Sequence, residues 1–171
     1  MKKISLVIFG ITTLIIGAVF VFIISKRDPY ICSNQEIEQL TKKLDVIIED
    51  WNDANSLASS SSRIALAIPV NNLQTIQKEV RNLEVSECAQ PVIDNFLNIT
   101  QNTIDGYLLF MQNKNESTIA EKFSESKESE RLFVTYYSRF KDGKSINPLE
   151  VSKEIVEDSQ KILENVEEDP E

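Results

Sequence analysis

Between Ile37 and Val166 the bulky apolar residues recur at spacings of three and four in five successive runs, and no stretch alternates convincingly at period two. This is the pattern of one apolar stripe along each of several α-helices, so the chain beyond its first residues reads as all-α, an antiparallel bundle of four to five helices. Ile37, Leu40, Leu44, Ile47, Ile48 and Trp51 place the first helix over 34–57, with Ser33 or Asn34 able to cap its first turn. The serine run 59–62 then reads as a turn and cap. Ile64, Ile68, Leu73, Ile76, Val80 and Leu83 form the second stripe, which Pro69 should kink or restart. Ser86 to Pro91 turns the chain into a third helix over about 91–113, carrying Val92, Phe96, Ile99, Ile104, Tyr107, Leu108 and Met111. A fourth begins near Ser117, buries Ile119, Phe123, Phe133, Tyr137 and Phe140, and ends at Asp142-Gly143 with Gly143 as the residue just past the helix. Its middle, SESKESE, is polar enough to be solvated over most of its circumference. The fifth opens with Asn147 as cap and Pro148 in its first turn, shows Val151, Ile155, Ile162 and Val166, and frays by 169–171.

Ahead of these runs stands a different kind of segment. Ile4 to Ser25 is 22 residues without a charge, flanked by Lys2 and Lys3 on one side and Lys26 and Arg27 on the other. As a helix it would reach about 33 Å, enough for a hydrocarbon core of about 30 Å. It therefore reads as a transmembrane anchor over 1–27, followed by a short linker over 28–33 and an extracytoplasmic bundle over 34–168. The rival readings are a cleaved signal peptide and a lipoprotein built on Cys32. Against the first stand the length of the apolar run, the lack of an A-x-A-like site at Ile23-Ile24-Ser25 and the bases that follow; against the second stands Asp28-Pro29-Tyr30-Ile31, which is not a small-residue lipidation sequence. The bases balance two against two across the span, so orientation rests on the free N-terminus and the acidic bulk, which favour the N-terminus inside.

The chain carries −9 overall, but the first 27 residues hold four of its 18 bases and no acid. From residue 28 on, 14 bases face all 27 acids, which is −13. A phosphate backbone needs a basic face, so no nucleic acid is expected as a partner. An acidic domain of this kind either solubilises itself or attracts a basic partner. Histidine is absent, which removes Ser-His-Asp and Cys-His catalysis, HExxH zinc sites, Glu-x-x-His di-iron sites and a histidine pH switch. Beyond residue 27 only Gly106 and Gly143 remain as glycines, too few to build a phosphate-cradling loop. Nearly every aromatic residue is accounted for by a helix face, so Tyr107, Phe133, Tyr136, Tyr137 and Phe140 read as core rather than as a cofactor box. No cofactor is implied.

Cys32 lies just past the anchor and Cys88 at the turn between the second and third helices. A first helix that rises and a second that returns bring the two to the same height, and in an oxidising compartment a disulfide is the favoured outcome. Two unlinked thiols would be expected if the domain faced the cytoplasm. A redox-active pair is disfavoured by the absence of C-x-x-C.

The remaining candidates are weaker. Asp50-Trp51-Asn52-Asp53-Ala54-Asn55 gathers oxygen ligands, but an EF-hand loop needs glycine sixth and glutamate twelfth, where Asn55 and Ser61 stand. A helix end with Trp51 inward explains the same letters. Arg63 is one base at the start of an apolar turn in an acidic domain. It is expected to pair with Asp50 or Asp53 across the serine run and pin the first hairpin, or else to contact an external anion or carboxylate; Trp51, Asp53 and Arg63 are thus the candidate interaction or pinning residues. Asp94 and Asp105 share a face but are three turns apart, too far to share a proton. Asn98-Ile-Thr100 and Asn115-Glu-Ser117 match glycosylation sequons, which matter only in a eukaryotic secretory protein.

The stretch from Trp51 to Phe110 resembles an uncharacterised family of cyanobacterial membrane-anchored or secreted helical proteins. The resemblance rests on Trp51-Asn-Asp-Ala, Ser62-Arg-Ile-Ala-Leu-Ala-Ile-Pro69, Leu73-Gln-Thr-Ile76, Leu83-Glu-Val-Ser-Glu-Cys88-Ala-Gln-Pro91 and Ile104-Asp-Gly-Tyr-Leu-Leu-Phe110. It covers about a third of the chain, and its best marker is the Leu-x-Val-x-x-Cys-Ala-x-Pro turn. It implies a bacterial cell membrane or thylakoid location and supplies no activity and no catalytic residues. The expectation is a non-enzymatic, single-pass protein, held in lipid by its N-terminal helix, whose bundle binds or scaffolds a protein of an envelope or membrane complex. The alternative is a bundle that holds an apolar small molecule or pigment beside Leu73, Phe96, Tyr107 and Phe133.

Overall fold

The structure, a computed structural model, describes residues 28–167. The reading of Ile4 to Ser25 as a span lies outside the described residues, as do the side chains of Ile162 and Val166 and the tail over 169–171. Among the described residues no helix is long and apolar enough to cross a membrane.

Five α-helices follow one another: α1 Asn34–Ser60, α2 Ala67–Arg81, α3 Gln90–Met111, α4 Glu116–Lys141 and α5 Pro148–Glu167. Single 3₁₀ turns over Arg63–Ala65 and Glu87–Ala89 precede α2 and α3. The first four form the bundle. Each packs on the next, α4 closes back on α1, and α3 against α4 is the most extensive pairing.

The helix ends are set by local chemistry. Ser33 caps α1 in a reciprocal box, its hydroxyl accepting from the Glu36 amide at 3.3 Å while the Glu36 carboxylate accepts from the Ser33 amide at 2.8 Å. The serine run only partly makes the expected turn, because Ser59 and Ser60 extend α1. Their hydroxyls donate back to the Ser56 carbonyl at 2.9 and 3.0 Å, and the Ser61 hydroxyl reaches Leu57 at 2.7 Å. Gly143 stands just past α4 at φ 66°, as its position implied. Asn113 performs the same service for α3 at φ 56°, with the Lys114 amide donating five residues back to Leu109. Asn115 caps α4 through the Ser117 amide and Asn147 caps α5 through the Leu149 amide.

Pro69 restarts the second helix and does not kink it. It sits buried in the first turn of α2, where a missing amide hydrogen costs little. The restart changes the register of the stripe. Ile64 and Ile68, expected in the core, are 96% and 73% exposed, whereas Leu66, Val70, Leu73 and Val80 are buried. The 3₁₀ turn breaks the helix ahead of residue 67, so spacing counted from Ile64 selects the wrong face.

In the other helices much of the expected core is buried, Leu44, Trp51, Val92, Phe96, Phe133 and Phe140 among it, whereas Ile119, Phe123 and Tyr137 of α4 are only half-buried. A row of rings runs from Trp51 on α1 through Phe96 on α3 to Phe133, Tyr137 and Phe140 on α4, with centroids 5.1–6.5 Å apart. Where α4 is most polar it is not wholly solvated. Ser126 is buried against Thr103 of α3 with hydroxyls 2.6 Å apart, and the Ser126 hydroxyl also lies 3.3 Å from the Ile99 carbonyl. One turn beyond Thr103, a Cβ on Gly106 would lie 2.9 Å from the Phe123 ring, so glycine is what lets this ring seat against α3.

Cys32 and Cys88 are bonded, with Cα atoms 5.3 Å apart. They sit at the end of the bundle where α1 begins and α2 gives way to α3. At the same end the Ile146 amide donates to the Tyr30 carbonyl, Ile146 and Val151 are buried, and Arg139 of α4 meets Ser145, Glu150 and Glu154 to hold the first turns of α5.

Two outcomes follow. By loop-closure entropy a bridge spanning 56 positions stabilises the fold by about 4 kcal/mol. Cys88→Ser should lower the urea midpoint accordingly, and the native protein should take up no thiol label and should migrate faster on a non-reducing gel than on a reducing one. Tyr137 offers the second. Its hydroxyl donates to Asp45 at 2.7 Å, and burial, reinforced by that hydrogen bond and by the Asp45 charge, raises its pKa well above the ordinary 10. The folded state therefore holds the phenolic proton more tightly than the unfolded one, and this contribution, complete below pH 10, is lost as pH rises beyond it. Thermal midpoints followed upward from pH 10 should fall more steeply for the native protein than for Tyr137→Phe.

Candidate functional site

The end of the bundle opposite the disulfide is built from the last turn of α1, the 3₁₀ turn, the first turn of α2, the last turn of α3 and the first turn of α4, which carries Glu116. α1 alone separates the two ends by about 40 Å, from its 27 residues. Arg63 organises this far end. Its guanidinium lies over the Phe110 ring at 4.7 Å and one terminal nitrogen donates to the Asn113 side-chain carbonyl at 2.5 Å. The same Asn113 stands in the left-handed region and ends α3. One asparagine therefore stops a helix and holds the arginine that fastens a different hairpin.

Arg63 does not make the expected pair with Asp50 or Asp53. Its partners lie on α3, so it ties the α1–α2 turn to the neighbouring hairpin instead of closing its own. Both acids are exposed on the side of α1, while Trp51 is 4% exposed and belongs to the core in edge contact with Phe96. Of the three candidate residues, then, one is core, one is surface, and only Arg63 is at a junction. The far end is braced a second time by the Tyr107 hydroxyl, which donates to the Asn55 side-chain carbonyl at 2.9 Å; burial raises the Tyr107 pKa and keeps it a donor.

This bracing leaves apolar side chains in water. Ile64 projects almost fully, Ile68 three-quarters, and Leu57 is half exposed. Scattered exposed aliphatics are ordinary. Three between residues 57 and 68, at the end of α1, on the 3₁₀ turn and at the start of α2, on a connection fastened by a stacked cation, make this end the candidate interaction site. Two of these residues, Ile64 and Ile68, carry a sequence signal, but its spacing points to the core. Leu57, Phe110 and Asn113 carry none that pattern reading can use, because Phe110 and Asn113 act through Arg63, about fifty positions away, and Leu57 through the turn's exposure.

The other candidates resolve into helix surface. Asp50 to Asn55 continue α1, so their oxygens fan around a helix and do not converge, and no group of acidic or cysteine side chains that could hold a metal occurs among the described residues. Asp94 and Asp105 accept hydrogen bonds from Gln90 and Gln101 one turn earlier on α3. Cys32 and Cys88 are joined, and the Ser86 hydroxyl lies 3.0 Å from the Cys88 sulfur. The chain matches no family model, no curated protein and no solved structure.

If Arg63 is a surface fastener, Arg63→Ala should cost no more than about 1 kcal/mol and Ile64→Asp less than about 0.5 kcal/mol. Trp51→Ala should cost about 3–5 kcal/mol. Chemical denaturation of the three variants measures all of these.

Proposed function

We propose that this protein is a non-enzymatic, single-pass membrane-anchored helical bundle that serves as a protein-binding or scaffold subunit of an envelope or membrane complex. Its N-terminal helix holds it in a bacterial cell membrane or thylakoid membrane with the bundle outside the cytoplasm. The α1–α2 end makes the contact. The observation that carries this reading is Ile64, an isoleucine 96% exposed on a turn held to the neighbouring hairpin by Arg63 and Asn113. A side chain that costs solubility and adds nothing to the core is explained by a partner that covers it.

The alternative, an apolar small molecule or pigment between the helices, needs room beside Leu73, Phe96, Tyr107 and Phe133. Those side chains are buried, and Phe96 and Phe133 lie with centroids 5.1 Å apart, so a guest there would have to displace rings from each other. No observation favours it over the contact at the α1–α2 end.

The test is purification of the full chain from native membranes in mild detergent, followed by mass spectrometry. One complex should be recovered in near-stoichiometric amount with the native protein, and Ile64→Asp should lose it while keeping the same melting curve. Recovery of the native protein alone, or of the same complex with both chains, would sink the reading.

A further inference from the structure

The partner's chemistry can be narrowed from the distribution of charge, on the proposed reading that the α1–α2 end binds a protein. Although the chain from residue 28 carries −13, the α1–α2 turn at this end carries no acid. From Ala54 to Gln77 the only charged residue is Arg63, and from Gly106 to Asn115 it is Lys114. These two segments are the end of α1, the turn, the first part of α2 and the last turn of α3, and the fold brings them together through the contacts of Arg63 with Phe110 and Asn113. Arg63 is therefore the one charge on the 24-residue segment that carries Leu57, Ile64 and Ile68, with Lys114 and Glu116 following at the α3–α4 turn, on a domain that is strongly acidic elsewhere.

Arg63 adds a second argument. Among the described residues it makes no ion pair; both of its partners are neutral, one a ring face and the other an amide. An arginine set flat on a ring is oriented, and with a single nitrogen committed to Asn113 it keeps donors directed elsewhere. Such a group is poised for a carboxylate that the protein itself does not supply. By contrast, Arg139 at the other end is already engaged by Glu150 and Glu154.

We infer that the α1–α2 end docks on a protein surface that is acidic around an apolar centre, with a partner carboxylate meeting Arg63 and apolar side chains covering Ile64 and Ile68. The acidic flanks of the bundle repel the same partner everywhere else, which confines contact to the tip and sets its direction.

The experiment places a photo-activated benzophenone side chain at Ile68 in the full-length chain, within the membranes of the cell that makes it. Illumination should give one protein adduct whose linked peptide carries more Asp and Glu than Lys and Arg. The yield should fall about tenfold in Arg63→Glu and in Ile64→Asp, and should drop as salt rises from about 0.05 to about 0.5 M. Ile64→Asp alters a side chain outside the core, so it keeps the comparison valid even if Arg63→Glu loosens the turn, and melting curves of both variants identify that case. An adduct to a neutral or basic peptide, or a yield indifferent to Arg63→Glu in a folded variant, overturns the acidic-partner inference while leaving a protein contact in place. Adducts only to lipid, to a second copy of this chain or to nothing overturn both.

Discussion

The bond between Cys32 and Cys88 ties the point where the chain enters α1 to the turn between α2 and α3, and the remaining geometry is arranged around that tie. A helix pair that rises and returns has a free choice of splay at its open end; a covalent bridge between the start of α1 and the end of α2 removes it. α3 must then leave from beside the origin of α1, and α4, returning along α3, comes down against α1, where Tyr137 reaches Asp45. The turn after α4 arrives at the same end and is received there by the Tyr30 carbonyl. Four separate segments thus meet within one layer near the bridge, and α5 is held there by Arg139 before it runs on.

Packing away from the bridge depends on unequal side chains. The ring row from Trp51 to Phe140 fills the space among α1, α3 and α4, but α3 and α4 also approach where the chain is small or polar, at Thr103, Gly106 and Ser126. The buried hydroxyl pair there is satisfied by itself and by the Ile99 carbonyl, so polarity is buried without leaving a donor orphaned. This arrangement explains how a helix with SESKESE at its centre makes the most extensive contact in the bundle.

The helices, most of their caps, the Cys32–Cys88 pairing and the apolar faces of α1 and α3 were legible in the sequence because each is a local consequence of spacing or of a residue's own backbone preference. What was not legible depended on a phase. In the second stripe Ile64 and Ile68 fit a helix as well as Leu66 and Val70 do, and only a 3₁₀ turn ahead of Pro69 decides between them. Ser126 looked solvated because burial of a hydroxyl needs a partner hydroxyl on another helix. Arg63 looked paired to Asp50 or Asp53 because sequence proximity favours a partner on the same hairpin, yet Asn113, fifty residues on, stands closer. The candidate site was therefore half visible: the arginine was singled out, and the isoleucines beside it were assigned to the wrong side of the helix.

The phase of the second stripe also bears on what the protein is for. Had Ile64 and Ile68 been core, the α1–α2 end would be an ordinary turn. With Leu66 and Val70 taking their place inside, the core is complete without them, and nothing in the fold accounts for two isoleucines in water. The α1–α2 segment itself bears no acid, the arginine on it is held open on a ring, and the turn is bolted to the end of α3, which keeps its shape before any partner arrives. On the proposed reading, in which the disulfide end lies near a membrane, the opposite end stands about 40 Å out along α1, where a second protein meets the acid-free α1–α2 turn before it meets the acidic flanks.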